Sequence, residues 1–173
     1  MIHVDTTALT LTLGELEFPC VIGHGGALPA ADKREGDGAT PLGTWALRAV
    51  LLRPDRIKPA TVPALPWRWL RKGDGWSDDP TDPAYNRPVH LPHGPGHESL
   101  WREDQAYDVI VVLAHNDAPP QPGMGSAIFF HQWVPGIYGA PRATEGCVAV
   151  PAEAMRMLLP LLKPGMVMDI AAE

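Results

Sequence analysis

The sequence has only two cysteines, no basic run and no long apolar run. Two cysteines in 173 residues exclude a disulfide-rich scaffold, and without a stretch of about 18 apolar residues no transmembrane helix is predicted. Lysine and arginine number 14 against 20 aspartate and glutamate, which gives a net charge of -6. Because nucleic acids and anionic membranes are bound through clustered basic residues, we expect neither as a partner.

The sequence also shows no export signal and no linker between domains. Residues 1–5 carry no lysine or arginine, and no apolar stretch of signal-peptide length follows them, so no signal peptide is predicted. No repeat or low-complexity segment divides the chain, and we predict a single domain over residues 1–173, with a monomer favoured. Cys20 lies in an apolar stretch and Cys147 beside a glycine, a difference that favours two free thiols, Cys20 being buried.

Proline and glycine, by contrast, are plentiful, with 20 and 17 residues. They indicate many turns and long loops between strands. The apolar patterns predict strands over residues 6–13, 18–22, 44–52, 107–113, 126–133 and 166–170. Residues 151–162 are predicted to form the main helix, distorted near its end by Pro160. Residues 33–43 are predicted to form a loop, and residues 54–105 a long, ordered loop region with short elements.

The pattern with the most chemical content joins Cys147 to His131. A thiol attacks carbonyl groups well when a neighbouring histidine takes its proton. Gly146, directly before the cysteine, gives the backbone freedom to turn the N–H groups of Gly146 and Cys147 toward a developing oxyanion. Alone, the pattern is equally compatible with a buried apolar cysteine and a hydrogen-bonded histidine.

Five separated segments resemble the YkuD-type L,D-transpeptidases. Residues 125–131 and 144–151 resemble the catalytic region of that family, and residues 33–43 its N-terminal motif. Residues 82–87 and 97–108 resemble one branch of the family. The segments occur in the family's order and cover most of the chain.

The resemblance implies a mostly β, sandwich- or barrel-like fold with long loops and a short helix after the nucleophile. It implies Cys147 as nucleophile, His131 as general base and the Gly146 and Cys147 amides as oxyanion hole. The histidine is commonly oriented in this family by a backbone carbonyl or a small polar side chain, which the sequence does not locate. No cofactor or metal is implied.

The implied substrate is a peptidoglycan stem peptide. Cys147 would form a thioester with one stem and pass the acyl group to an amine of a second stem, which cross-links the wall. The resemblance therefore implies a place in the periplasm or cell envelope, a part in cell-wall biogenesis and cell shape, and acylation by carbapenems.

Two positions depart from the family pattern. Glu145 stands where many members have histidine, and Ala149 where many have an arginine, whose place Arg142 or Arg87 could take. The cross-link formed stays open, and so do hydrolysis or amino-acid exchange on the same thioester. The residues expected to contact substrate are Thr144, Glu145, Arg142, Trp133, Arg87, His97 and His24.

Two other functions compete with this interpretation. His90, His93 and His97, with Glu98 beside them, could bind zinc for a metal-dependent hydrolase, although their spacing is not that of a helical zinc motif. A wall-binding module without activity could use a tryptophan face, for which the candidates are Trp67, Trp69, Trp76 and Trp101. Asp37 is expected to stabilise its loop by accepting backbone N–H groups.

Overall fold

The computed structural model describes residues 1–58, 62–136 and 139–173. Strands account for 38% of the residues and helix for 7%, which confirms the prediction of a mostly β fold. The strands are β1 (Ile2–Asp5), β2 (Thr10–Leu13), β3 (Leu16–Pro19), β4 (Ala27–Pro29), β5 (Thr40–Leu52), β6 (Trp67–Trp69), β7 (Asp74–Ser77), β8 (Pro88–His90), β9 (His97–Ser99), β10 (Val109–Leu113), β11 (Phe129–Gln132), β12 (Val148–Val150) and β13 (Val167–Ala171). Helix α1 (Ala152–Leu158) runs into a 3₁₀ turn (Leu159–Leu161).

One large sheet organises the chain in the order β12-β11-β10-β5-β13-β1-β2-β3, with β4 and β6 also pairing with β5. Past the end of β3, Val21 exchanges two backbone hydrogen bonds with Ala149 of β12, at 2.8 and 2.9 Å. Because these two residues belong to opposite ends of the strand order, the sheet is nearly closed. The closure places the segment after β3 beside the strand that follows Cys147.

The centre of the sheet is buried on both faces, since successive side chains of a strand point to opposite sides. One face, with Val111 and Phe130, packs in the main core against Met155 and Leu158 of α1. Burying each of these two helix side chains contributes about 1.5–3 kcal/mol. The other face forms a second apolar cluster, whose members include Leu51, Trp76, Leu100, Tyr107, Ile110, Phe129 and Cys147.

The long segment predicted to be an ordered loop contains its own small sheet, apart from residues 59–61, which lie outside the described residues. Strand β7 is the centre of this sheet, with β8 and β9 antiparallel on its two sides. Trp76 of β7 packs edge-on against Phe129, with ring centroids 5.1 Å apart. The sequence analysis did not locate these strands, because each has only three or four residues and few of these are apolar.

The predicted strand over residues 6–13 is wrong in its first half. The Asp5 carboxylate accepts the backbone N–H groups of Thr7 and Ala8, at 2.8 and 3.0 Å, so residues 6–9 form a turn. Strand β1 precedes this turn and pairs with β13 in parallel and with β2 antiparallel. Local side-chain hydrogen bonds therefore override the alternating pattern.

The predicted start of β5 differs from the observed one, whereas the predicted helix is confirmed. Strand β5 begins at Thr40, inside the segment predicted to be a loop, because β4 pairs with it from that residue. The helix is confirmed, and Pro160 lies in the 3₁₀ turn that ends it. Within the described ranges, no helix has the length and apolar character needed to cross a membrane.

Candidate active site

The parallel pairing of β11 and β12 brings His131 and Cys147 to the same face. Phe130 lies opposite Val148, so Phe129 and Cys147 are neighbours one position earlier. His131 lies two positions after Phe129 and therefore shares its face. Both side chains belong to the wall of one cleft, and each residue is 6% exposed.

A tight turn delivers Cys147 to this position. Gly146 has φ +132°, and a side chain there would meet the Ala39 carbonyl oxygen at 2.8 Å from its Cβ. The Thr40 hydroxyl donates to the Gly146 carbonyl oxygen at 2.9 Å, and the Thr144 hydroxyl donates to that of Cys147 at 2.6 Å. Glycine is thus required before the cysteine because the backbone approaches β5 so closely.

The Cys147 thiol has two backbone neighbours. It donates to the Ala127 carbonyl oxygen at 3.3 Å, and its sulfur accepts the Phe129 N–H at 3.3 Å. Burial, followed by the nearby Glu98 carboxylate, raises the pKa of the thiol to about 12. In the free protein the proton therefore stays on sulfur.

The orienting group of His131 is a backbone carbonyl. The Nδ1 of His131 lies 2.7 Å from the carbonyl oxygen of Gln132. Because a carbonyl only accepts, Nδ1 carries the proton and Nε2 keeps its lone pair. Burial lowers the pKa of His131 to about 4, against the raising effect of the Gln132 bond, so the ring is neutral at rest. Its edge packs on Tyr107 with centroids 5.2 Å apart.

The cleft around this pair has a volume of about 640 Å³. Both charge signs line it. Its cations are Lys33, Arg102 and Arg142, and its carboxylates are Glu35, Asp78, Glu98 and Glu145. The mixture suits a ligand that carries both ammonium and carboxylate groups.

Glu98 is a cleft residue for which the sequence offered only a role beside a metal. Its carboxylate accepts the Tyr107 hydroxyl at 2.6 Å, and burial raises its pKa against that hydrogen bond. Arg102 lies 3.9 Å away and is itself held by Asp104 at 2.6 Å. Burial also raises the pKa of Asp78, with a further contribution from Glu35. Several carboxylates thus crowd one cleft.

The structure brings together most of the residues expected to contact substrate. The cleft is lined by Trp133, Arg142, Thr144, Glu145 and His97. His24 is not among the lining residues, but its Nε2 lies 2.9 Å from the Glu145 carboxylate at the rim.

Arg87 is not part of this cleft, which corrects its expected role. It begins the β8 side of the small sheet, where its carbonyl oxygen accepts the Ser77 N–H at 2.9 Å. That pairing carries its side chain into a separate cavity beside Trp76. Of the two arginines considered as replacements, only Arg142 lines the cleft.

The three histidines of the proline- and glycine-rich loop have different partners. His93 Nε2 lies 2.7 Å from the Asp82 carboxylate, while His97 Nδ1 lies 2.9 Å from the Pro95 carbonyl oxygen. The His90 ring instead packs over Gly73. Among the described residues, no group of three or more His, Cys, Asp or Glu side chains is arranged to hold a metal ion.

The tryptophans do not form a common binding face. Trp76 is buried, and its Nε1 donates to Asn86 at 2.9 Å. Trp101 lies under the Arg53 guanidinium, 3.9 Å from the ring centroid. Trp67 is 37% exposed and packs edge-on with Trp69. These contacts favour packing as the main role of the group.

Residues 33–43, the segment that resembles the N-terminal motif of the family, contribute to the wall of the cleft. Asp37 accepts the Arg34 and Ala39 backbone N–H groups at 2.7 and 2.8 Å, as expected of a loop-stabilising carboxylate. Burial acts to raise the pKa of Asp37, but the Lys33 ammonium and these N–H groups outweigh it and lower that pKa. Lys33 itself is 2% exposed and lines the cleft.

Asn86 uses all four hydrogen-bonding positions of its side-chain amide. Its oxygen accepts Trp76 Nε1 at 2.9 Å and the Ala127 N–H at 3.1 Å. Its nitrogen donates to the carbonyl oxygens of His115 and Asn116, at 3.1 and 2.7 Å. Because Ala127 accepts the Cys147 thiol, this amide fixes part of the sulfur's surroundings. The segment 82–87 had indicated no such role.

Replacing Asn86 with alanine should lower the free energy of unfolding by about 2–4 kcal/mol, because the Trp76 Nε1–H and Ala127 N–H groups lose their acceptor. Urea unfolding followed by tryptophan fluorescence measures the change. The neighbouring Arg87→Ala is the control and should stay within about 0.5 kcal/mol of the unchanged protein. A loss below about 1 kcal/mol in Asn86→Ala would show that the amide network contributes little.

One comparison with known proteins gives a match. A family model described as YkuD, the L,D-transpeptidase catalytic domain, matches residues 1–170. No curated protein and no solved structure matches the chain. The matched range includes every residue of the cleft described above.

Proposed function

Because the chain belongs to the YkuD family of L,D-transpeptidase catalytic domains, we propose that it transfers acyl groups between peptidoglycan stem peptides through a thioester on Cys147. The observation that carries the proposal is the neutral His131 ring, with Nδ1 bound to the Gln132 carbonyl and Nε2 free to take a proton. The cysteine and this histidine share one cleft wall.

The proposed reaction has two halves. The thiol proton passes to His131 Nε2 while sulfur attacks the donor carbonyl, which gives a tetrahedral oxyanion. Collapse breaks the carbon–nitrogen bond, and the imidazolium returns its proton to the departing amine. An amine of a second stem then attacks the thioester, gives its proton to His131 and releases the Cys147 thiol, which regains that proton.

The oxyanion is expected to bind mainly to the Cys147 backbone N–H. That group has no acceptor among residues 1–58, 62–136 and 139–173. The Gly146 N–H already donates to the Thr144 hydroxyl at 3.2 Å, so it would have to leave this partner to join. The contacts around the turn thus favour one amide over the pair implied by the family.

Substrate charge is proposed to be matched on two sides of the cleft. Arg142 is exposed at the rim and has no ion-pair partner among the described residues, so it suits a substrate carboxylate. Glu35, Asp78 and Glu98 suit an ammonium group. Trp133, Thr144, Glu145 and His97 complete the wall, with His24 at the rim.

Replacing Arg142 with glutamine should raise KM for the donor stem peptide by about tenfold, because one charge-assisted contact is lost, and change kcat less. Initial rates over a range of donor concentrations separate the two constants. Arg71→Gln, at an exposed position outside the cleft, is the control. An unchanged KM in Arg142→Gln would remove this arginine from substrate binding.

The remaining features follow from the substrate class. We propose a single catalytic domain over residues 1–173, working as a monomer in the periplasm or cell envelope and contributing to cell shape. It needs no cofactor or metal. Hydrolysis or amino-acid exchange on the same thioester is the second candidate, because Ala149 stands in place of the family arginine and leaves the bond made less defined than the substrate class.

Defined stem peptides test the proposal. Incubation with a donor stem and an amine-bearing acceptor stem should give a cross-linked product by mass spectrometry, and a carbapenem should add one acyl group to the intact protein. Release of free acid or of an exchanged stem would instead favour the second candidate. A protein that forms neither product nor adduct would contradict both.

A further inference from the structure

A second cavity of about 280 Å³ lies beside the small sheet, and Cys147 does not line it. Arg48, Arg68 and Arg87 line it together with one carboxylate, Asp117. Its volume lies just under the range of about 300–1,000 Å³ found for drug-sized ligands, so it suits a smaller molecule. It shares no lining residue with the larger cleft.

The three arginines differ in how well they are neutralised. Arg48 is paired with Asp117, its Nε 2.7 Å from the carboxylate, and Arg68 is paired with Asp74. Arg87 is half-buried and has no carboxylate within ion-pair distance among the residues that the structure covers. A guanidinium that is partly removed from water without a counter-charge favours an anion beside it, and a carboxylate matches its fork.

The rest of the wall is apolar. Leu51, Trp76, Val112 and Pro88 contribute to it, and Trp76 is 8% exposed. An inorganic anion would leave these surfaces wet, whereas a ligand with an apolar body would cover them. Charge and apolar surface together point to a small carboxylate that carries an aromatic or aliphatic group.

We propose that this cavity is a regulatory site for a small carboxylate with an apolar body, held by Arg87 and seated on Trp76. The proposal does not depend on the acyl-transfer function, since it concerns a separate cavity. In this proposal the carboxylate of the ligand is the counter-charge of Arg87, which does not line the large cleft.

Two wall residues connect the site to the thiol. Trp76 packs on Phe129, whose N–H donates to the Cys147 sulfur. Asn86, also in the wall, holds the Ala127 N–H, and the Ala127 carbonyl accepts the thiol. A ligand that shifts both Trp76 and Asn86 therefore changes both backbone contacts of the sulfur.

Phenylacetate is the probe, with neutral phenylacetamide as its matched control. Isothermal titration of the whole protein should give saturable phenylacetate binding, about tenfold weaker for phenylacetamide and for Arg87→Gln. Arg142→Gln, which removes a guanidinium from the large cleft instead, should bind like the unchanged protein. Saturating phenylacetate should also change the rate of Cys147 alkylation by iodoacetamide by about fivefold, but not in Arg87→Gln.

Each other outcome counts against the proposal. Absence of saturable binding, or equal binding of the amide, would overturn the carboxylate site. Binding that is lost in Arg142→Gln and kept in Arg87→Gln would place the ligand in the large cleft. Binding through Arg87 with an unchanged alkylation rate would overturn the regulatory role. Peptide mass mapping distinguishes alkylation at Cys147 from that at Cys20.

Discussion

Replacing Cys147 with serine should abolish carbapenem adduct formation and lower acyl transfer by about 10⁴-fold or more. A hydroxyl is far less acidic than a thiol, and the buried neutral His131 is too weak a base to activate it. The substitution conserves shape, so the hydrogen-bonding turn from Thr144 to Cys147 should persist. Intact mass and single-turnover rates measure the two effects.

The matched control is the other thiol. Cys20 is buried in the main core, and burial raises its pKa to about 12, as it does for Cys147. Unlike Cys147, it does not line the cleft. Cys20→Ala should therefore keep the adduct, with only a modest loss of stability. An adduct that survives in Cys147→Ser would contradict the assignment of the nucleophile.

Replacing His131 with glutamine should lower the acylation rate by about 10²–10⁴-fold, because the thiol proton loses its acceptor. The low reactivity expected of a protonated, buried sulfur makes this loss large. Stopped-flow measurement of carbapenem acylation gives the rate directly. A rate in His131→Gln within a few-fold of the unchanged protein would mean that another group takes the proton.

The pH dependence gives a separate test of His131. Burial lowers its pKa from 6.5 to about 4, so Nε2 stays unprotonated down to that pH. The acylation rate should therefore hold between pH 5 and 7 and fall only as pH approaches 4, about where the ring gains a proton. A histidine with the usual pKa would give a fall near pH 6.5 instead.

The lowered pKa of His131 should also make the free energy of unfolding depend on pH. Between about pH 4 and 6.5 the unfolded chain binds a proton at His131 and the folded protein does not. The free energy of unfolding should therefore rise with pH across this window. His131→Gln should flatten that part of the profile in urea unfolding, and an unchanged slope would argue against the buried neutral ring.

Strands β10 and β11 show how much of the fold local sequence patterns predict. The apolar runs that became β10 and β11 were predicted because both faces of these strands are buried, which makes them continuous in the sequence. The small sheet around Trp76 was not predicted. Its three strands have only three or four residues each, and few of these are apolar, so no alternating pattern marks them.

The Cys–His pattern by itself is compatible with a nucleophile and its base or with two structural residues. The separated segments that resemble the family favour the nucleophile. Glu98 and Asn86 lay inside those segments without an assigned role. Each acquires its contacts, to Tyr107 and to Ala127, across distant parts of the chain. Long-range hydrogen bonds of this kind leave no periodic trace in the sequence around either residue.

The sequence alone determined the mostly β class, the strand that carries His131, the helix after Cys147 and the family to which these segments belong. Only the tertiary structure decided that the thiol is protonated, that the Gln132 carbonyl orients His131 and that Arg87 faces another cavity. Periodicity and motif spacing depend only on residues that are close together in the sequence. Burial, pKa and the direction of an arginine depend on which distant strands pack around them.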